Sequence, residues 1–282
     1  MSDEKRAEQK LDQKDRRKLD EKEESAVEER VSLRAPLVYE IISRDGEEEL
    51  IRPMASLWWS GVAAGICLST SVFVESFLHY YLPDRPWRPL AESLGYSFGF
   101  LLVILGGLQL FTENTITVIL PLLARPTRRN LVAVLRLWAV VLLANLVGTL
   151  LSAALAVHGG IATDAQLGAA LDLARHYVEY TPLEMLLRGV PAGFLIAALV
   201  WMLPSSRGSE FWVITTVTYV IALGGLTHVI AGSTEVFLLT LTGELGVPGT
   251  LFGVILPTLV GNIVGGTVLF SLLAYGQVSS EI

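Results

Sequence analysis

No lysine follows Lys22 in a chain of 282 residues, and the other charges thin out soon afterwards. Residues 1–53 carry 12 of the 21 Lys and Arg and 16 of the 28 Asp and Glu, which leaves 9 and 12 for everything beyond. A water-facing surface needs roughly a quarter to a third of its positions charged. The block after Pro53 therefore cannot close a soluble fold, and it reads as membrane-embedded. Hydrophobic residues at 52% and a mean hydropathy of +0.52 agree. This pattern excludes a soluble enzyme, and the formal net charge of −7 excludes a nucleic-acid binder. Cys67 is alone, so it forms no intrachain disulfide, and it reads as a small buried hydrophobe with no role in a metal site.

Residues 1–35 read as a disordered or frayed cytoplasmic arm of mixed charge, without the apolar core of a signal peptide. In 36–52, Leu37, Val38, Ile41 and Ile42 share one helical face, which predicts a short amphipathic helix on the membrane surface. The pore domain is expected over 53–282. A bilayer core of about 30 Å takes about 20 apolar residues in helix. Leu57–Phe77, Leu131–Val157, Met185–Leu203 and Thr250–Tyr275 each suffice. Two further segments are interrupted. Leu94–Leu110 runs into the polar stretch 111–115 before Ile116–Ala124, and Phe211–Leu226 runs into 227–233 before Thr234–Leu245. The expectation is six transmembrane helices in an all-α membrane protein, with helices 2 and 5 broken. Arg34, Arg44, Arg52, Arg125, Arg128, Arg129 and Arg207 outnumber Arg85, Arg88 and Arg175 on the opposite side, which points to cytoplasmic termini.

The two halves repeat. Gly61-Val62-Ala63-Ala64-Gly65 answers Gly189-Val190-Pro191-Ala192-Gly193, Gly106-Gly107-Leu108 answers Gly224-Gly225-Leu226, and Asn145-Leu146-Val147-Gly148 answers Asn262-Ile263-Val264-Gly265. Three crossings per copy make the second copy inverted, with repeat one over 54–157 and repeat two over 183–276. Matched breaks in two inverted halves point to a transport path. Asn145 and Asn262 are intramembrane amides that either hold the backbone freed at a break or line the path. The glycine pairs four apart let helices approach closely.

Few side chains can carry function. His228 sits inside the second break, beside Thr227. The pair is either a relay that exchanges protons with a passing anion or, at the imidazole, a neutral structural histidine. Glu113, within Thr112-Glu113-Asn114, either caps the following half-helix or faces the pore. Glu75, Arg136 and Arg188 read as snorkelling or paired. His79, His158 and His176 fall in or near loops. No nucleophile–base pair, phosphate loop, cofactor motif or metal-ligand cluster is present in the sequence.

The interrupted Leu110-Phe111-Thr112 segment, the His228-centred break and the Asn-x-x-Gly of the last span together resemble the formate/nitrite transporter family over roughly 36–275. The Thr112-Glu113-Asn114-Thr115 loop is similar to a less characterised branch of the bacterial inner membrane. The resemblance implies an aquaporin-like bundle and a homopentamer in the lipid bilayer, with a pore for a small-molecule solute through each protomer and no cofactor. It implies two hydrophobic constrictions around His228. One is at Leu110 and Phe111, and the other is at Tyr96, Phe100 and Ile221. A small monovalent anion would take a proton near His228 and cross as the neutral acid. The chain departs from the family pattern with Thr227 in place of a glutamate, Gly232 in place of an asparagine and Tyr177 in place of a vestibule lysine, for which Arg175 is the nearest substitute. These departures, with Glu113, leave a pore for a neutral solute or a cation as the alternative. A non-conducting scaffold with a partner-binding arm is a third reading.

Overall fold

The computed structural model describes residues 33–281, and all regular structure within them is helical. The expected charged arm lies outside these residues up to position 32. The first helix, α1 (Ala35–Ile51), buries Val38, Tyr39, Ile42, Ser43 and Gly46 along one stripe. The expected apolar face is thus rotated, and Leu37 remains half-exposed. Tyr39 Oη donates to Leu120 O at 3.0 Å, and Arg136 donates to Leu50 O at 2.8 Å, so α1 is tied to the helical block behind it.

Repeat one comprises α2 (Met54–Tyr81), α3 (Arg88–Leu105), the short α4 (Asn114–Thr117) and α5 (Ile119–Ala124), and α6 (Arg128–His158). A further helix, α7 (Asp164–Tyr177), follows. Repeat two comprises α8 (Pro182–Met202), α9 (Glu210–Leu223), α10 (Val229–Leu241) and α11 (Gly249–Val278), the last interrupted by two π-helical stretches. Five of these, α2, α3, α6, α8 and α11, are long and apolar enough to cross a membrane. The expected fifth span is instead the shorter pair α9 and α10. Outward-facing Leu143, Leu155, Leu187 and Phe252 are more than half exposed, which suits a lipid-facing surface.

Both breaks begin earlier than the polar residues suggest. The helices end at glycine pairs, where Gly107 and Gly225 take φ of +59° and +57°, a region L side chains rarely adopt. The second break closes at His228, so Ala231 to Ser233 are already helical. Hydropathy locates polar residues, whereas the chain turns where backbone conformation permits it.

The repeats interlock through these breaks. Thr267 and Ser271 of α11 donate to Thr115 O at 2.7 and 3.2 Å. In the mirror arrangement, Ser233 of α10 meets Thr149 of α6 at 2.9 Å. Each half-helix after a break is therefore held by the last helix of the other repeat. The unanticipated α7 begins with a Thr163/Gln166 capping box and packs on α2 and α10.

Candidate functional site

Each break leaves backbone groups without helical partners, and one asparagine serves each. Asn145 Nδ2 donates to Gly61 O and Gln109 O, both at 2.8 Å, while its Oδ1 accepts from Phe111 N at 2.9 Å. Asn262 repeats the set with Gly189 O and Thr227 O at 2.9 Å and Val229 N at 2.8 Å. An unpaired buried amide costs about 1–3 kcal/mol, so two fully used side chains make both breaks tolerable. The matching bonds also set the residues between them in register. Leu110 lies between Gln109 and Phe111, and His228 lies between Thr227 and Val229. The same position therefore carries an aliphatic residue in one repeat and an imidazole in the other.

His228 is 1% exposed and caps α10, with Nδ1 accepting from Ala231 N at 3.2 Å. A neutral imidazole that accepts at Nδ1 carries its proton on Nε2. Nε2 therefore donates to Thr112 Oγ1, 2.7 Å away on the first break. The Phe100 ring stands edge-on to the imidazole at 5.1 Å and lies 5.3 Å from Tyr96.

A chamber opens on either side of this centre. One, of about 580 Å³, is lined by Leu110, Gln109, Glu113, Asn114 and the α1 residues Asp45, Glu48 and Glu49, with Arg207 and Glu210. The other, of about 160 Å³, is lined by Tyr96, Glu75, Glu235, Tyr177, Tyr180 and Leu226. α9 begins at the first with Glu210 and ends at the second with Ala222, so the chambers occupy opposite ends of the bundle. Phe100, Ile221 and His228 lie between them, essentially without exposure.

The structure distributes the expected site residues unevenly. Leu110 and Tyr96 each wall a chamber. Phe111 turns its ring to Trp138 on α6, edge-on at 5.6 Å. Asn114 Nδ2 braces the loop through Gln109 Oε1 and Leu110 O at 3.1 and 3.2 Å. Thr227, grouped with His228 as a relay, spends its hydroxyl on Met185 O at 2.7 Å, and the hydroxyl that reaches the imidazole is that of Thr112. Glu113 makes no cap bond to α4, and its Oε1 is buried without a partner beside the first chamber. Arg175 does not replace the vestibule lysine. It is held by Glu244 at 2.7 and 2.9 Å and by Asp172 at 2.7 Å, and this pairing holds the Glu244 carboxyl below its usual range. His79 is partly exposed and bonded to Glu92 at 2.9 Å. Glu75 does not snorkel and lines the second chamber. Glu235 carried a legible signal, as an acid inside the apolar run 234–245, yet hydropathy averaging hides it.

Two interlocked repeats, a polar residue at their shared centre and a chamber at each end define a membrane transport protein. The formate/nitrite transporter family matches residues 36–276. The chain is 38% identical over 255 residues to the inner membrane protein YfdC of Escherichia coli K12, covering 90% of this chain and 82% of that protein. It is 27% identical to the formate channel FocA of Haemophilus influenzae, covering 77% and 84%. Among solved structures, an FNT family ion channel matches with a TM-score of 0.74 at 20% identity, over 86% of this chain and 98% of that one. A pentameric formate channel with formate bound matches with a TM-score of 0.71 at 22% identity, over 81% and 98%. The chain belongs to the formate/nitrite transporter family. It is a multi-pass membrane protein of transport and not an enzyme.

Proposed function

We propose that this protein passes small monovalent anions of weak acids, formate and nitrite among them, across the bacterial inner membrane through a pore in each protomer of a homopentamer. The observation that carries this reading is the buried pair His228 and Thr112, placed between two chambers at opposite ends of the bundle. A charged solute pays a large desolvation cost in an apolar constriction. Leu110 on one side and Tyr96, Phe100 and Ile221 on the other therefore favour the neutral acid, and the His228 imidazole is the central group that exchanges a proton with it.

In this reading the chain makes six crossings, with α9 and α10 together forming the fifth. α1 lies on the cytoplasmic surface and walls the larger chamber, ahead of a pore domain that starts at 53. Arg207 at that chamber and Arg125, Arg128 and Arg129 before α6 support cytoplasmic termini. The test is uptake of formate, nitrite, acetate, lactate and hydrosulfide into proteoliposomes at several pH values. Uptake that rises on acidification is expected, and no uptake above empty liposomes for all five overturns the reading. The acids in both chambers favour a second one, a pore for a neutral solute or a cation. Osmotic swelling and cation-replacement currents distinguish it. A Glu113→Gln change that leaves rate and selectivity intact counts against it.

A further inference from the structure

Helices α2 and α3 pack antiparallel with a fixed register. Gly99 N donates to Ser71 Oγ at 3.0 Å. One turn on, Gly95 lies so close to α2 that a Cβ there would meet the Glu75 backbone at 2.7 Å. One turn further, His79 Nδ1 lies 2.9 Å from Glu92 Oε1. Glu75 is thus one helical turn, about 5.4 Å along the axis, from the His79–Glu92 pair on the same face of α2. Tyr96, one turn beyond Glu92 on α3, lines the smaller chamber together with Glu75 and Glu235. A row of ionisable groups therefore leads from that chamber, beside the solute path and not along it, to the end of the bundle where α2 meets α3.

At its outer end His79 reaches the surface and Glu92 is buried behind it. The His79 side chain is 16% exposed and that of Glu92 7%. Arg88 Nε lies 2.8 Å from the same Glu92 oxygen, and Asp84 lies behind Arg88 at 3.6 Å. Arg88 and His79 thus meet on one Glu92 oxygen, which places that carboxyl between the surface imidazole and the interior. At the inner end, Glu75 faces Glu92 and Tyr96 from α3, Glu235 from α10, and His176, Tyr177 and Tyr180 from α7 and its following turn. Arg188 stands behind the lining, stacked on Tyr180 at 4.0 Å and donating to Gly225 O at 3.3 Å. Two carboxyls that share one chamber favour holding a proton between them.

We propose that His79, Glu92 and Glu75 form a proton branch that joins the aqueous surface to the smaller chamber, where Glu235 shares the proton that Glu75 receives. Each step moves one proton. His79 takes it from water and returns the one on Nδ1 to Glu92. Glu92 passes it across one bridging water to Glu75. Glu75 protonates the entering anion and reverts to carboxylate. This rests on passage of a weak acid in neutral form, and it adds the point of supply for the proton.

The test separates net uptake from exchange. Net formate uptake consumes one fresh proton for each solute, whereas exchange of labelled for unlabelled formate at equal concentrations recycles protons within the chamber. Proteoliposomes of the full chain, with a pH dye inside, are compared with His79→Gln and Glu92→Gln variants. Net uptake and internal acidification are expected to fall several-fold together while exchange stays at the parental rate, and Glu92→Asp is expected to restore most of the loss. Equal loss of uptake and exchange would show a structural role, and no loss of either would show that protons arrive by another route. Each overturns the branch and leaves the channel reading intact. Absence of exchange in the parent protein overturns both.

Discussion

At the scale of single residues, the substitutions near His228 read together. Gly232, one turn after the imidazole, has no Cβ, and the Tyr177 hydroxyl and ring occupy the space a Cβ would take. The Tyr177 Oη there is buried and has no partner. A large residue at 177 and the smallest residue at 232 thus fit one another. Gly232→Ala is expected to destabilise the fold by about 1–3 kcal/mol through overpacking. Tyr177→Ala in the same chain should recover much of that, because it removes the obstacle. Thermal unfolding in detergent of the two single variants and the double variant tests the pair, and additive losses would show that the two sites are independent. Neither departure, taken alone as a sequence difference, discloses this fit. It depends on α7 reaching α10, and residues 158–182 carry little hydropathy signal. The Thr163-x-x-Gln166 capping box was the available sign of that helix.

Among the helices, the breaks are held by side chains and not by hydropathy. Asn145 and Asn262 each satisfy three buried backbone groups. Replacing either by alanine leaves unpaired the two groups it served at the break, since Gly61 and Gly189 lie inside the continuous helices α2 and α8, which costs on the order of 3 kcal/mol. Each variant is expected to unfold at a lower temperature, and Asn262→Ala should also disturb His228, since the first amide of α10 loses its acceptor. A spectroscopic probe of the imidazole, such as its NMR titration, separates these outcomes: Asn145→Ala should leave it unmoved. The sequence made the spans legible because length and apolarity set them, and it made the repeat legible through Gly61/Gly189 and Asn145/Asn262. The sequence located the ends of the breaks less well. Those ends follow from positive φ at Gly107 and Gly225 and from the cap at His228, and composition does not report on any of these. The bond between Thr112 and His228 joins two residues 116 positions apart, a contact only the interlocked repeats create.

For the whole molecule, the loss of lysine after Lys22 acquires a physical consequence. The larger chamber carries Asp45, Glu48, Glu49, Glu113 and Glu210 against Arg207, and the smaller one carries Glu75 and Glu235. Clefts lined by one sign of charge focus the field and set the local concentration of ions. The mouth of the larger chamber, where Asp45, Glu48, Glu49 and Glu210 outnumber Arg207, therefore lowers the concentration of an approaching anion and leaves that of a neutral acid unchanged. A channel of this charge admits weak acids most readily when acidification supplies the neutral form, and it takes up strong-acid anions poorly. Replacing Asp45, Glu48 and Glu49 with Asn, Gln and Gln keeps shape and removes three charges. Formate entry from the α1 side is then expected to rise a few-fold at about 10 mM salt, where the screening length is about 30 Å, and to converge with the parent near 1 M, where it is about 3 Å. Stopped-flow uptake at the two salt concentrations reads this directly. A gain that persists at high salt would place the effect in local packing, since α1 rests on α5 through Tyr39 and Leu120.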